Sequence, residues 1–316
     1  MGDSGRVPCP IKMTGISRAS LSIRRWKMRT VGLLLACIGV TLLGAPTFFA
    51  SWPYGSLLLW TVCQQMILAL SYNLSVGFGP RVNLGHGAFF GIGAYGSALC
   101  ISQGIPWWGG LVVGGAMAGV FARVLSFPLV GLKGAEFAIT SLCVPLLLGS
   151  LARNLEALTG GVGGISTRPL GPEVPYGLSL FLLLASMRVH NTLLQSRWGR
   201  ALRAAGEDPV AAGHVGIDYG SLERQALILG SVLAGMAGGI YPLKTGYLGP
   251  ESAFGLDVVL APVLAVFLGG QGTKWGPVLG ACVVVLVQEL LLVHFPRSNL
   301  LLFGLFLMIS GLRRVK

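Results

Sequence analysis

The chain has 316 residues, 53% of them hydrophobic and 11% charged, with a mean hydropathy of +0.74. Soluble domains carry about 25% charged residues, so a water-soluble globular enzyme is excluded. Continuous apolar runs such as VGLLLACIGVTLL exclude a membrane β-barrel, whose strands alternate with period two. The net charge is +12, but the basic residues lie between apolar runs, a pattern that membrane orientation explains better than nucleic acid does.

In chain order, residues 1–30 hold Arg6, Lys12, Arg18, Arg24, Arg25, Lys27 and Arg29 ahead of the first apolar run. They read as a basic cytoplasmic tail before a retained span. The alternative, a signal-peptide n-region, would be unusually long and lacks a clean small-residue cleavage site. Met13 and Met28 are alternative starts.

A spanning helix needs about 20 apolar residues. Apolar runs place spans near 31–50, 56–76, 84–101, 107–127, 135–152, 176–194, 222–242, 256–271, 276–294 and 299–312. The fifth, eighth and tenth are short or interrupted. The expected fold is therefore an all-α polytopic membrane helix bundle of about 8–10 transmembrane helices. Its membrane domain covers 31–312, and 313–316 form a short tail. With the N-terminus inside, an even number of spans returns the C-terminal GLRRVK to the same side. The outside regions then keep only Arg153, Arg168, Lys244 and Arg297, as the positive-inside rule expects.

The six cysteines stand singly, with no CxxC pair, so neither a zinc site nor a disulfide framework is indicated. They read as small buried hydrophobes.

Within Asn73–Leu99 the chain packs Pro80, Arg81, Asn83, His86 and glycines 77, 79, 85, 87, 91, 93 and 96. Each interior glycine costs a helix about 1 kcal/mol and a proline about 3 kcal/mol. The spacing predicts a helix break at Gly77–Asn83 with Arg81 facing water, and a new glycine-faced span from Leu84. Residues 269–280 form a second glycine-rich stretch, where GGQGTKWG only echoes a phosphate loop. No Ser or Thr follows Lys274 and an apolar run does, so this also reads as a helix break. Gly87/Gly91, Gly110/Gly114, Gly235/Gly239 and Gly276/Gly280 are small-xxx-small pairs that let helix backbones touch.

Two loops are long enough for structure of their own. The first, 153–175, is rich in Gly and Pro and falls outside. The second, 195–224, falls inside and reads as two short helices. Arg200–Gly206 form the first, with Arg203 and Glu207 spaced for an i,i+4 contact. Asp208 is placed to cap the second, Pro209 to start it and Gly216 to stop it. Ala204, Ala205, Ala211, Ala212 and Gly213 would leave a close-approach face. The loop is either a docking element for a partner or a solvated connector.

From about Tyr72 to Leu312 the sequence resembles the LivM-type permeases of branched-chain amino-acid ABC importers. Four stretches carry the resemblance: NLSVGFGPRVNLGHGAFFGIGAY, FAITSL with LTGGVGGI, GRALRAAGEDPVAAGHVGI, and AVFLGGQGTKWGPVLGA. Arg81 and Asn83 depart from the family's usual Gln and Ser, and Glu136 stands where an aromatic residue is common. Val210 replaces the glutamate of the general Glu-Ala-Ala loop pattern, and no proline precedes the final Gly-Leu.

The resemblance implies a type II importer permease carrying branched-chain amino acids or a related small amide, in the prokaryotic plasma (inner) membrane. Both termini would be cytoplasmic. The implied partners are a second, LivH-like permease, two cytoplasmic ATPases that bind ATP and Mg, and a periplasmic or lipid-anchored solute-binding protein. Membrane lipids would surround the subunit, and nucleic acid is not expected. The chain has no G-x-x-x-x-G-K-[ST], so ATP hydrolysis would fall to partner chains; no cofactor, metal ligand or catalytic residue is expected here. Gly199, Arg200, Arg203, Glu207, Ala211, Ala212 and Gly216 would form the ATPase-coupling loop. The competing class is an ion-coupled secondary transporter, which would carry carboxylates deep in several spans.

Ionisable groups within spans are functional candidates by default, and these are His86, Glu136, Asp257 and Glu289. Glu136 and Asp257 lie near span ends, and Glu289 is placed to pair with His294 or polar neighbours. A zwitterion with an apolar side chain needs backbone polar groups and small walls, which broken helices supply. The expected substrate path is Asn83, Gly85, His86, Phe89, Gly91, Gly269, Gly270 and Gly272. Close helix packing competes for most of these glycines, and His86 suits a packing hydrogen bond as well as a path.

Overall fold

A computed structural model describes residues 53–79, 81–132, 134–294 and 304 of the chain. The expected basic tail and the spans near 31–50 and 299–312 lie outside the described residues, as do Cys9 and Cys37. The remaining eight runs all form helices, and six of these are long and apolar enough to cross a membrane. The other two, Gly87–Ser102 and Gly276–Leu291, are shorter apolar helices.

Helix α1 (Pro53–Val76) has 24 residues, about 36 Å at 1.5 Å per residue. It stops where glycine enters, and the Gly77 N–H closes the last turn on Asn73 O at 2.9 Å. An irregular segment then leads to α2 (Gly87–Ser102). Helices α3 (Trp107–Val130) and α4 (Gly134–Asn154) follow. The glycine-rich loop holds a short helix α5 (Glu156–Thr159), a 3-10 turn (Gly161–Gly163) and a strand β1 (Ile165–Ser166).

Helix α6 (Glu173–Gln195) crosses back, and α7 (Arg197–Glu207) and α8 (Pro209–His214) lie at its far end. Helix α9 (Tyr219–Thr245) is the longest at 27 residues. The Asp218 side chain caps it by accepting from Ser221 N–H, and Gly246, at φ 70°, ends it. That left-handed conformation is one only glycine adopts cheaply. Strand β2 (Tyr247–Leu248), helix α10 (Pro250–Phe254), α11 (Leu256–Gly269) and α12 (Gly276–His294) complete the fold.

The centre of the bundle is a three-way glycine contact. A side chain on Gly93 of α2 would strike the Gly235 backbone of α9. One on Gly114 of α3 would strike Gly93, and one on Gly235 would strike Ala118 and Gly114. These backbones touch, as small-residue helix packing in membranes requires. Helices α1 and α9 are the most enclosed, with 72% and 67% of their apolar windows buried, whereas α4 has 28%. Exposed Val112, Val120, Val124 and Phe127 of α3, with Ile139, Leu146 and Leu147 of α4, form apolar outer faces suited to lipid.

At one end of the bundle β1 and β2 pair antiparallel, Ile165 opposite Leu248 and Ser166 opposite Tyr247. Thr167 fastens this loop to α9, its N–H donating to Gly246 O and its hydroxyl to Pro242 O. At the other end Phe78, Leu194, Leu202 and Ala226 bury together, joining the irregular segment to α6, α7 and α9.

Candidate functional site

The glycine-rich break after α1 is the centre of a polar assembly. Asn73, one turn before the break, is fully buried. Its Oδ1 accepts from Gly272 N–H at 2.9 Å, which sets the orientation of the amide. Its Nδ2 therefore donates, to Thr273 O at 3.3 Å and to His190 Nε2 at 2.7 Å. One amide thus joins α1, α6 and the turn between α11 and α12. That turn needs glycine twice, Gly270 at φ 99° and Gly272 at φ 68°. Thr273 Oγ1 donates to Gly270 O and accepts from Gly276 N–H, so the turn also caps α12. The two glycine-rich stretches therefore meet, with Gly272 set against Gly77 O and the Phe78 ring.

His86 occupies the end of the break. Ser71 Oγ donates to Leu68 O and lies 2.8 Å from His86 Nε2. The single serine proton is committed to Leu68, so His86 Nε2 is the donor. Tyr72 and Phe89 set their rings edge-on to the imidazole. Asn83 is buried and its Oδ1 accepts from Gly85 N–H at 2.8 Å. Leu84 N–H donates to Ser141 Oγ, and Gly85 presses on Ser141 O, so the break is docked on α4.

Arg81 does not face water. Its Nη1 donates to both carboxylate oxygens of Glu223, at 2.9 and 2.8 Å, and each side chain of the pair is 13% exposed. The guanidinium also lies 5.6 Å from the Phe137 ring centre and 5.7 Å from that of Tyr219. The start of α9 supplies a carboxylate inside an aromatic slot, and a charge buried in that position is far cheaper paired than left alone.

The 195–224 loop abuts the same break. Ser196 caps α7 by accepting from Gly199 N–H, and Asp208 caps α8 by accepting from Val210 and Ala211 N–H. Gly216 follows at φ 80°. Arg203 does not pair with Glu207. Its guanidinium lies 5.5 Å from the Phe78 ring centre and reaches Gly272 O at 3.5 Å. Gly206 rests directly on Phe78 O. Among the small residues, Ala205 and Ala212 bury inward, while Ala204, Ala211 and Gly213 stay exposed.

Among the expected path residues, Asn83, Gly85, His86 and Phe89 are buried around the break, and Gly270 and Gly272 form the facing turn. Gly269 packs on Gly276. Gly91 faces Phe254 of α10 instead, away from this assembly. Glu136 is exposed, and Asp257 lies in the wall of an open cleft at α10. Glu289 accepts from the Tyr54 hydroxyl at 2.7 Å. Cys63 is buried, but Cys143 is exposed on the outer face of α4. Sequence reasoning passed over Asn73, His190 and Glu223. His190 and Glu223 both fall within expected spans, 176–194 and 222–242, so a search for ionisable residues within spans would have flagged both.

The family described as branched-chain amino acid transport system / permease component matches residues 56–311. The chain is 29% identical over 276 residues to the high-affinity branched-chain amino acid transport system permease protein LivM of Escherichia coli (strain K12). That alignment covers 77% of this chain and 65% of the relative, so the chain spans slightly less than two thirds of the relative's length. It is 28% identical over 296 residues to LivM of Salmonella typhimurium, covering 82% of this chain and 69% of the relative. Similarity extends to the autoinducer 2 import system permease protein LsrC of Yersinia pseudotuberculosis, 24% identical over 272 residues, with 83% and 74% covered. No solved structure matches the chain.

Proposed function

The chain belongs to the branched-chain amino acid transport permease family, and from that premise we propose that it is the membrane subunit of an ATP-driven importer for branched-chain amino acids or a related small amide. It is a multi-pass membrane transport subunit, not an enzyme. A second, LivH-like permease would complete the pore. Two ATPases, holding ATP and Mg, would dock at the α7–α8 end, making that end cytoplasmic in a prokaryotic plasma membrane. A solute-binding protein would deliver substrate at the β1–β2 end.

The observation that carries this reading is the position of α7–α8. Helix α7 leans on the helix break through Gly206 and Arg203, and α8 packs beside it. They also leave Val210, Ala211, Gly213 and Val215 exposed. A surface that holds apolar side chains in water on one side and an intramembrane break on the other suits transmission of a partner's motion. A broken helix beside small residues is the kind of feature that lines substrate paths in membrane transporters.

The reading is tested by leucine uptake into membrane vesicles containing the chain with its co-expressed partners. Uptake is expected to require ATP and to survive collapse of the proton gradient. Uptake that persists without ATP and stops when the gradient collapses would make the chain an ion-coupled secondary transporter.

A further inference from the structure

The outer face of α6 changes character along its length. Gly177, Phe181, Leu184, Arg188, Thr192 and Gln195 follow one another at steps of three and four, so they share one face, and all are exposed. The first part of the stripe is apolar, with Phe181 71% and Leu184 39% exposed, and suits acyl chains. Arg188 opens the second part. Among the described residues it has no ion pair, hydrogen bond or ring contact.

Arg188 stands seven residues before Gln195, the last of α6, which is about 10 Å along the axis. A helix of 23 residues is about 34 Å long, against about 30 Å of hydrocarbon. The Arg188 backbone therefore lies within the hydrocarbon layer, and its guanidinium must snorkel toward the α7 end. A second guanidinium is held at that end, where Arg200 of α7 donates to Gln195 O at 2.7 Å. Thr192 stands one turn beyond Arg188, between the two, and its hydroxyl makes no hydrogen bond among the described residues. Trp198, next to this group in α7, is of a type enriched at headgroup level.

No carboxylate of the remaining apolar runs could answer these charges, because 31–50 and 299–312 contain neither Asp nor Glu. Arg123 on α3 is a natural comparison. It is exposed and stands seven residues before the end of its own helix at Val130, a matching depth. Its exposed neighbours Val120, Val124 and Phe127 are all apolar, so it has no polar companion on that face.

We propose that Arg188, Thr192 and Arg200 hold the phosphate head of an anionic phospholipid whose acyl chains lie along Leu184 and Phe181. Guanidinium groups match phosphate oxygens with paired N–H donors. A phospholipid is the ligand that sets an anion and a long hydrocarbon in that order along one helix face. On the opposite side of the same turn, about 200° round from Arg188, His190 Nε2 lies 2.7 Å from Asn73 Nδ2. The bound lipid thus braces the turn of α6 that grips the helix break. The site does not depend on what the chain transports.

The test uses the full chain in phosphatidylcholine nanodiscs with increasing fractions of phosphatidylglycerol, read by thermal unfolding. Phosphatidylglycerol is expected to raise the unfolding temperature of the wild type. Arg188→Gln and Thr192→Val should each increase the fraction needed for half of that gain. The first should do so by about fivefold, the usual contribution of one arginine near an anionic surface. Arg123→Gln, which removes the same charge at a matching depth, should leave that fraction unchanged. Each gain is read from the variant's own unfolding temperature in phosphatidylcholine alone, so a change in intrinsic stability does not mask it.

No gain in the wild type, unchanged gains in both α6 variants, or an equal loss in Arg123→Gln overturns the site. A gain reproduced by inorganic phosphate in phosphatidylcholine discs would make the ligand a free anion and overturn the lipid. A gain that vanishes when a co-expressed second permease is bound would give the stripe to that subunit, with the same result.

Discussion

A guanidinium at a break inside a helix bundle needs either water or a carboxylate, and Arg81 has the carboxylate of Glu223, 142 residues away. Removing one partner of a buried pair costs about 3–5 kcal/mol, because the other charge is left unpaired, whereas replacing both by apolar residues is often neutral. Arg81→Met and Glu223→Leu alone are each expected to lower the unfolding temperature of the purified chain sharply. The double variant is expected to recover most of the loss. Additive losses in the double variant would mean that the pair is not what holds the break. Asn73 follows the same logic without charge, since its one amide satisfies a backbone N–H, a backbone carbonyl and an imidazole. An arginine in a glycine-rich break looks solvated from sequence because local spacing carries no information about a carboxylate so far along the chain.

At the level of elements, glycine decides which helices touch. The Gly93–Gly114–Gly235 contact draws α2, α3 and α9 to backbone distance. Gly93→Leu has no room there, and overpacking of this kind costs about 1–3 kcal/mol or more. It is expected to reduce the folded yield and the unfolding temperature. Gly177→Leu on α6, whose position meets nothing within 4 Å, should leave both unchanged. Equal effects of the two would deny the close contact its role. The small-xxx-small spacing was readable in advance, and the structure puts Gly87 against Val259, Gly110 against Ser97, Gly239 near Leu111 and Gly280 against Ala265. The spacing could not say that Gly91 would face Phe254 rather than the break, because a glycine names a close approach and not its partner.

Over the whole described body, polar chemistry divides between two ends joined by α1 and α9. One end couples α7–α8 to the break through Gly206 on Phe78 O and Arg203 at Gly272 O. The other carries the β1–β2 loop and the cleft beside α10. If the first end transmits force, Gly206→Leu or Arg203→Glu should lower uptake per ATP hydrolysed by the assembled importer by about tenfold, within the usual range of coupling between sites. ATPase co-purification should be unaffected. Normal uptake per ATP in both variants would show that the loop only connects α6 to α9.

The helical class, the eight described apolar helices and the onset of both breaks follow from sequence alone, because run length and the cost of Gly and Pro act within one or two turns; the first break, expected to end at Asn83, runs on to His86 before α2 begins at Gly87. Helix caps such as Asp208 are local for the same reason. Only tertiary structure decided that Arg81 meets Glu223 and that Asn73 holds the turn at Gly272. Those pairings depend on how helices far apart in sequence rotate against one another, and backbone contacts at glycine set that rotation.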